Sequence, residues 1–271
     1  MFIVKVPGIN GLGKTYGCEK AGNAILKVLK EEIFSNEQGV PIDFPLLDLE
    51  EIHLDNSNLK LTNDLIYKNS LEIFETKPKV IFLGGDHSIS YSTTKAFLDY
   101  CKDSKKKPCL IVFDSHPDLM PVSKGSEKFP NHEEWLRGLV NQGFPCENIL
   151  LVGLRNSAKE EIAFIHEKKI KTIPIDNLLL DVEDICDTIM EFSNGKELYL
   201  SIDIDAIDPA FAPATGYPEP GGLTSRQFLY LIKRLNKVKT LRAVDLVEIN
   251  PSKDNSGLTV KLGAKILSEL V

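Results

Sequence analysis

The sequence predicts an α/β protein built on a parallel sheet, and three observations carry that prediction. Short β-branched apolar runs recur along all 271 residues, with helix-period segments between them. Three runs end in acid and imidazole: Gly84-Gly85-Asp86-His87, Asp114-Ser115-His116-Pro117-Asp118 and Asp203-Ile204-Asp205-Ala206-Ile207-Asp208-Pro209. Two stretches, 115–131 and 205–224, are too long and irregular for plain connections, and each follows such a run. Strict alternation of strand and helix implies right-handed crossovers and parallel pairing. The carboxyl ends of buried strands are where α/β proteins build their sites, and long loops there are usually functional.

In order, the chain opens on a strand near 2–6, and a helix over 17–34 follows, with Ala21, Ile25, Val28 and Leu29 on one face. A strand near 42–47 precedes a helix over Leu59 to Phe74, and a strand near 79–84 precedes Ser90 to Tyr100. Lys102 to Lys107 is a charge run and reads as a solvated loop before the strand near 109–114. Then come a helix over His132 to Gln142, a strand near 149–153, a helix over Ser157 to Glu167 and a strand near 170–174. A helix over Leu178 to Phe192, a strand near 198–204, a helix over Ser225 to Leu235, a strand near 241–248 and a helix over Leu258 to Leu270 complete the chain. Eight strands and eight helices fit a closed barrel and an open doubly wound sheet alike, and periodicity does not choose between them. No repeat, low-complexity tract or linker divides the sequence, so one domain over 1–271 is expected.

Composition narrows the partners. Hydrophobic residues at 42% supply a sizeable core, and a net charge of −7 argues against nucleic acid or an anionic membrane surface. Five cysteines, an odd count without a Cys-x-x-Cys pair, point to reduced thiols and a cytoplasmic setting. Met1 to Pro7 lacks the features of a signal peptide, and no apolar run is long enough to span a bilayer.

The three acid-and-imidazole runs carry the chemistry. Asp114, His116 and Asp118 follow the apolar strand Leu110-Ile111-Val112-Phe113, and residues two apart share a face in extended chain. A turn rich in Asp and Pro is the bland alternative, and a histidine between two aspartates favours metal binding over it. Asp203 and Asp205 also share a face, where like charges repel unless a cation lies between them. Asp208, before Pro209, reads as a turn residue. Gly84 and Gly85 permit close backbone approach, His87 reads as a ligand in the company of the other runs, and Asp86 as the group orienting it or a neighbouring loop. Gly8, Gly11 and Gly13 before Lys14-Thr15 fail the spacing of a phosphate loop. His53 and His166 read as surface residues. His132 either starts a helix or faces the site as a proton carrier. Glu248, ending the last strand, is placed to bind a cationic substrate or a neighbouring loop. Carboxylate oxygens with imidazole nitrogens suit a divalent ion of the manganese, iron or zinc type.

Taken together, these runs resemble the ureohydrolase family of arginase, agmatinase and formimidoylglutamase, from Gly84 to the last helix. The most specific stretch runs from Ser201 through Asp203-Ile204-Asp205, Asp208-Pro209 and Pro213-Ala214-Thr215-Gly216 to Glu219-Pro220-Gly221-Gly222-Leu223-Thr224. The resemblance implies a three-layer α/β/α fold with an eight-stranded, mostly parallel sheet rather than a barrel. It implies a hydrolase with two Mn2+ per chain, held by His87, Asp114, His116, Asp118, Asp203 and Asp205. One ion would take His87, Asp114, Asp118 and Asp203, and the other His116, Asp114, Asp203 and Asp205. His132 matches the family's proton-shuttling histidine, Asp118 would align the attacking water, and Glu248 would grip a guanidinium. A small guanidino substrate, agmatine first, and a homo-oligomer (trimer or hexamer) are implied as well. The chain departs from the family at Pro117, at Glu133 where glycine is common, and at Tyr217 where a small residue is common. Met120, Asn156 and Ala158 replace the polar groups with which arginases hold an α-amino acid end.

Overall fold

Parallel strands with helices on both faces are what the alternating sequence builds. The computed structural model describes residues 1–271. In chain order the elements are β1 (Phe2–Val6), α1 (Ala21–Glu32), β2 (Asp48–Glu51), α2 (Leu59–Thr76), β3 (Val80–Gly84), α3 (Ile89–Asp103), β4 (Pro108–Phe113) and α4 (Trp135–Asn141). They continue with β5 (Ile149–Val152), α5 (Lys159–Lys168), β6 (Lys171–Ile173), α6 (Ile175–Leu180), α7 (Val182–Phe192), β7 (Glu197–Asp203), α8 (Ser225–Leu235), β8 (Leu241–Val247) and α9 (Leu258–Leu270). All eight strands join one parallel sheet in the order β2-β1-β3-β8-β7-β4-β5-β6, so the sheet is open and the barrel is excluded.

Successive side chains on a strand point to opposite faces, and the core divides accordingly. Ile3, Ile81, Ile111, Leu200 and Val244 pack under α1, α7, α8 and α9, whereas Val4, Phe82, Leu110, Tyr199 and Ala243 pack under α2 to α5. Both faces of the strands are therefore apolar, as a sheet covered on both sides requires. Phe113 meets Phe228 of α8 edge-on at 5.5 Å, a pairing that adds about 0.5–1.5 kcal/mol to simple burial. No helix is long and apolar enough to cross a membrane.

Topology creates the crevice. The chain passes from β3 to β4, yet β8 and β7 lie between them in the sheet. β3 and β4 lead into α3 and α4 on one face, while β7 and β8 lead into α8 and α9 on the other. Adjacent strands thus send their connections in opposite directions, and a cleft opens at their carboxyl ends. The four strands flanking that cleft are the four that deliver the residues singled out above.

Three elements differ from their sequence-based expectations. The apolar segment 42–47 contains Pro45, which has no N–H for a ladder, and Phe44–Leu46 forms a 3-10 turn instead. The strand lies beyond it at Asp48–Glu51, a largely exposed edge whose register (Phe2 opposite Asp48) comes from backbone pairing with β1 rather than from burial. The helix expected over 178–192 is two helices. Asp181 is extended (φ −152°, ψ 93°), and its carboxylate accepts the N–H groups of Glu183 and Asp184 at 3.1 and 3.0 Å, capping α7. The helix expected from His132 begins only at Trp135, which leaves His132 in the preceding loop.

Candidate metal centre

At the end of β3 the chain turns at Gly84-Gly85, and a Cβ on Gly85 would collide with the Gly8 carbonyl. That close approach explains the glycine pair. It also lets the Asp86 N–H donate to Gly8 O at 3.1 Å. The Asp86 carboxylate accepts from Asn10 N at 2.6 Å, Thr15 Oγ1 at 2.7 Å and Ser88 N at 3.1 Å, so it fastens the 8–15 loop to the site. At the end of β4, Asp114 Oδ1 accepts from His116 N at 2.7 Å, and Asp118 takes the left-handed conformation (φ 52°). At the end of β7, Asp203 Oδ1 accepts from Asp205 N at 2.8 Å, and Asp205 Oδ1 accepts from Ser115 N at 2.9 Å, joining two of the runs. Glu248, after β8, is also left-handed (φ 65°). Its Oε1 accepts from His87 N at 2.9 Å, and Cys18 Sγ lies 3.9 Å from Oε2.

These turns bring the three runs together. His87 Nδ1 lies 2.9 Å from Asp118 Oδ2, 3.1 Å from Asp114 Oδ2 and 3.3 Å from Asp203 Oδ2. His116 Nδ1 lies 3.0 Å from Asp205 Oδ2 and 3.7 Å from Asp114 Oδ1. Two groups that could each hold a cation result, His87 with Asp114 and Asp118, and His116 with Asp114 and Asp205, and Asp114 belongs to both.

The electrostatics call for positive charge. Burial, with neighbouring carboxylates behind it, raises the pKa of Asp203, Asp205 and Asp118. Burial also raises Glu248 well above the usual carboxylate range, aided by Asp203 and Asp86. Burial works to raise Asp114 and to lower both histidines, but their mutual attraction outweighs it: Asp114 ends below its ordinary value and His87 and His116 above theirs. His87 Nδ1 and Asp114 Oδ2 are buried with no hydrogen-bond partner. An orphaned imidazole nitrogen facing an orphaned carboxylate oxygen, among further buried acids, is a donor set that fits divalent cations.

Supporting contacts come from residues the sequence reading passed over. Ser201 Oγ donates to Asp245 Oδ1 at 2.7 Å and stands 3.0 Å from His87 Nε2. Asp245, fully buried, also accepts from Ser90 Oγ at 2.7 Å, Tyr199 OH at 2.8 Å and Ile202 N at 3.3 Å. Trp135 Nε1 donates to Asp118 Oδ2 at 2.8 Å, and its ring lies 4.7 Å from that of His87. Arg155 Nη2 donates to the carbonyls of Asp205 and Glu219, both at 2.6 Å, which ties the 205–224 loop to the end of β5. A lone acid inside the apolar run of β8 was the available signal for Asp245.

Above these candidate ligands is a cavity of about 300 Å3. His132 lines it and is 4% exposed, its ring stacked on Tyr217 (5.4 Å between centroids, 28°) and both ring nitrogens without partners. Glu248, Met120, Glu133, Asn156, Ala158 and Tyr217 line it too, so every position where the chain departs from its resemblance, except Pro117, borders the same space. Asp208 faces away from the ligands: Oδ1 accepts from Ala210 N at 2.8 Å, and Oδ2 from Gly221 N at 2.7 Å and Gly222 N at 3.1 Å. His53 and His166 are exposed.

The family described as Arginase family matches residues 2–271. Proclavaminate amidinohydrolase of Streptomyces clavuligerus is 26% identical over 229 residues, covering 83% of this chain and 71% of that one. N(1)-aminopropylagmatine ureohydrolase of Thermus thermophilus is 28% identical over 255 residues, 92% of this chain and 82% of that one. The crystal structure of agmatine ureohydrolase of Thermoplasma volcanium superposes with a TM-score of 0.83 at 25% identity, covering 99% of this chain and 87% of that one.

Proposed function

This chain belongs to the arginase family, and from that premise we propose that it is a binuclear-manganese amidinohydrolase. It cleaves a C–N bond of a small guanidino compound to give urea and an amine. The observation that supports this most is the meeting of His87, Asp114, His116, Asp118, Asp203 and Asp205 beneath the cavity, with a buried imidazole nitrogen and a carboxylate oxygen left unpartnered. Two Mn2+ ions held by these six residues would lower the pKa of water towards neutrality and favour negative charge near the attacked carbon.

The chain's own groups do the rest. Glu248 is fixed by the His87 N–H and stands at the cavity wall, where its carboxylate pairs with a guanidinium through parallel hydrogen bonds. Asp118, held by Trp135, accepts a hydrogen bond from the attacking water and aligns it. His132 has both ring nitrogens without a hydrogen-bond partner, so it can deliver a proton to the leaving amine. Its stacking on Tyr217 holds the ring in place for that transfer. Met120 and Ala158 present apolar surface to the cavity, and the Asn156 side-chain amide donates to Glu219 Oε2 at 2.8 Å. That wall gives an α-amino acid end little to bind, which favours agmatine over arginine or formimidoylglutamate. A panel of guanidino compounds, assayed for urea release on manganese-loaded protein, tests this. No urea from any guanidine and no formamide from formimidoylglutamate, with two ions bound, would leave a catalytically silent family member.

A further inference from the structure

The cavity lining is rich in acids. It includes six carboxylates and neither lysine nor arginine. Five have an assignment: Asp118, Asp203 and Asp205 with the cation ligands, Glu248 with the guanidinium, and Glu161, whose oxygens accept from Leu119 N at 2.9 Å and Ala158 N at 2.8 Å. Glu133 remains.

Glu133 is held at its base, and its carboxylate lies beside the Tyr217 hydroxyl. Its N–H donates to Asn131 Oδ1 at 2.9 Å, and its carbonyl accepts from Met120 N at 3.0 Å. The carboxylate also lies 3.7 Å from His132 Nε2, and the side chain is 40% exposed, as suits a group at the cavity mouth. Lys14 approaches the face of Tyr217, 4.5 Å from the ring centroid, and forms no ion pair with this carboxylate. A second, independent feature points to a polar occupant: Thr215 is 2% exposed, lines the same cavity and has its hydroxyl without a partner.

We propose that Glu133 is a specificity-determining residue that receives a primary ammonium at the far end of the substrate's alkyl tail. This inference rests on the amidinohydrolase reading. A guanidinium held at Glu248 leaves the tail to run past His132 and Tyr217 toward the mouth. There an ammonium meets an anchored carboxylate, while a carboxylate-ended tail meets like charge. The substrate class is a guanidine that also carries an amine.

The test compares three guanidines that differ at the tail: agmatine (ammonium), butylguanidine (uncharged) and 4-guanidinobutyrate (carboxylate). Urea release by manganese-loaded wild type should favour agmatine over butylguanidine by about tenfold in kcat/KM. Glu133→Gln should collapse that ratio to about one, through KM rather than kcat, and Glu133→Lys should turn the preference toward 4-guanidinobutyrate. Calorimetric binding of agmatine and butylguanidine, in the His132→Ala background that slows turnover, should show the same loss of discrimination when Glu133→Gln is added. A ratio that survives Glu133→Gln, or a wild type that does not distinguish the two, overturns this inference alone. Protein that binds neither guanidine overturns the amidinohydrolase reading and this inference with it.

Discussion

Replacing Ser201 by alanine should weaken cation binding without touching a cation ligand. The Ser201 hydroxyl has one proton, and it goes to Asp245 Oδ1 at 2.7 Å. Its oxygen can then only accept from His87 Nε2–H, 3.0 Å away. That choice leaves Nδ1 as the unprotonated nitrogen, and Nδ1 is the atom facing Asp114, Asp118 and Asp203. Ser201→Ala removes two buried hydrogen bonds, one to a carboxylate. It strands Nε2–H and leaves Asp245 with the donors from Ser90, Tyr199 and Ile202. A bond to a charged acceptor is worth about 1.5–3 kcal/mol and an unsatisfied buried donor costs about 1–3 kcal/mol, so the expected destabilisation is about 2–4 kcal/mol. Loss of an orienting partner of this kind typically costs about 10–100-fold in metal affinity. Tyr199→Phe is the control. It removes a donor from the same Asp245 but has no bond to His87, so it should cost about 1–2 kcal/mol and leave cation affinity within about threefold of wild type. Urea unfolding of chelator-treated protein reads the first quantity, and calorimetric manganese titration the second. Wild-type affinity in Ser201→Ala, or an equal loss in Tyr199→Phe, would refute the orienting role.

Four further outcomes are expected. Asp203→Asn removes a charge 3.3 Å from His87 Nδ1 and should lower the manganese content of both sites, as measured by elemental analysis after gel filtration; full occupancy would exclude Asp203 as a shared ligand. His132→Ala should lower turnover by about 10²–10⁴-fold with manganese content intact, and unchanged turnover would return His132 to a packing role against Tyr217. Glu248→Gln should raise KM for every guanidine alike, since it removes the charge that the shared planar cation needs; a loss confined to one substrate would contradict this. Asp208→Ala should cost about 1 kcal/mol, a figure discounted for solvent screening. The N–H groups of Ala210, Gly221 and Gly222 hold the Asp208 pKa below its ordinary value of 3.8. Its contribution is therefore present above that value and is lost as pH falls through the lower folded value, so thermal melts of variant and wild type should converge in acid.

The candidate ligands were legible in the sequence because each depends on local chemistry. An apolar strand that ends in Asp or His exposes those groups at one edge, and spacing of two keeps them on one face, so the runs at 84–87, 114–118 and 203–205 announced themselves. The order of strands and helices was legible for the same reason. Where an element owes its existence to a partner, the sequence is silent. β2 is an exposed Asp-Leu-Glu-Glu segment that forms because β1 offers it a backbone edge, and 178–192 breaks at Asp181 although its apolar period continues. Periodicity could not separate barrel from open sheet, because burial on both faces looks the same in either. The placement of β8 and β7 between β3 and β4 decided it, and that placement also opened the cleft. Ser201 and Asp245 lie 44 residues apart and meet only because β7 and β8 are neighbours in register. What a residue is can be read from the chain, but what a buried polar atom bonds to is set across the sheet, where contacts are fixed by strand order and register.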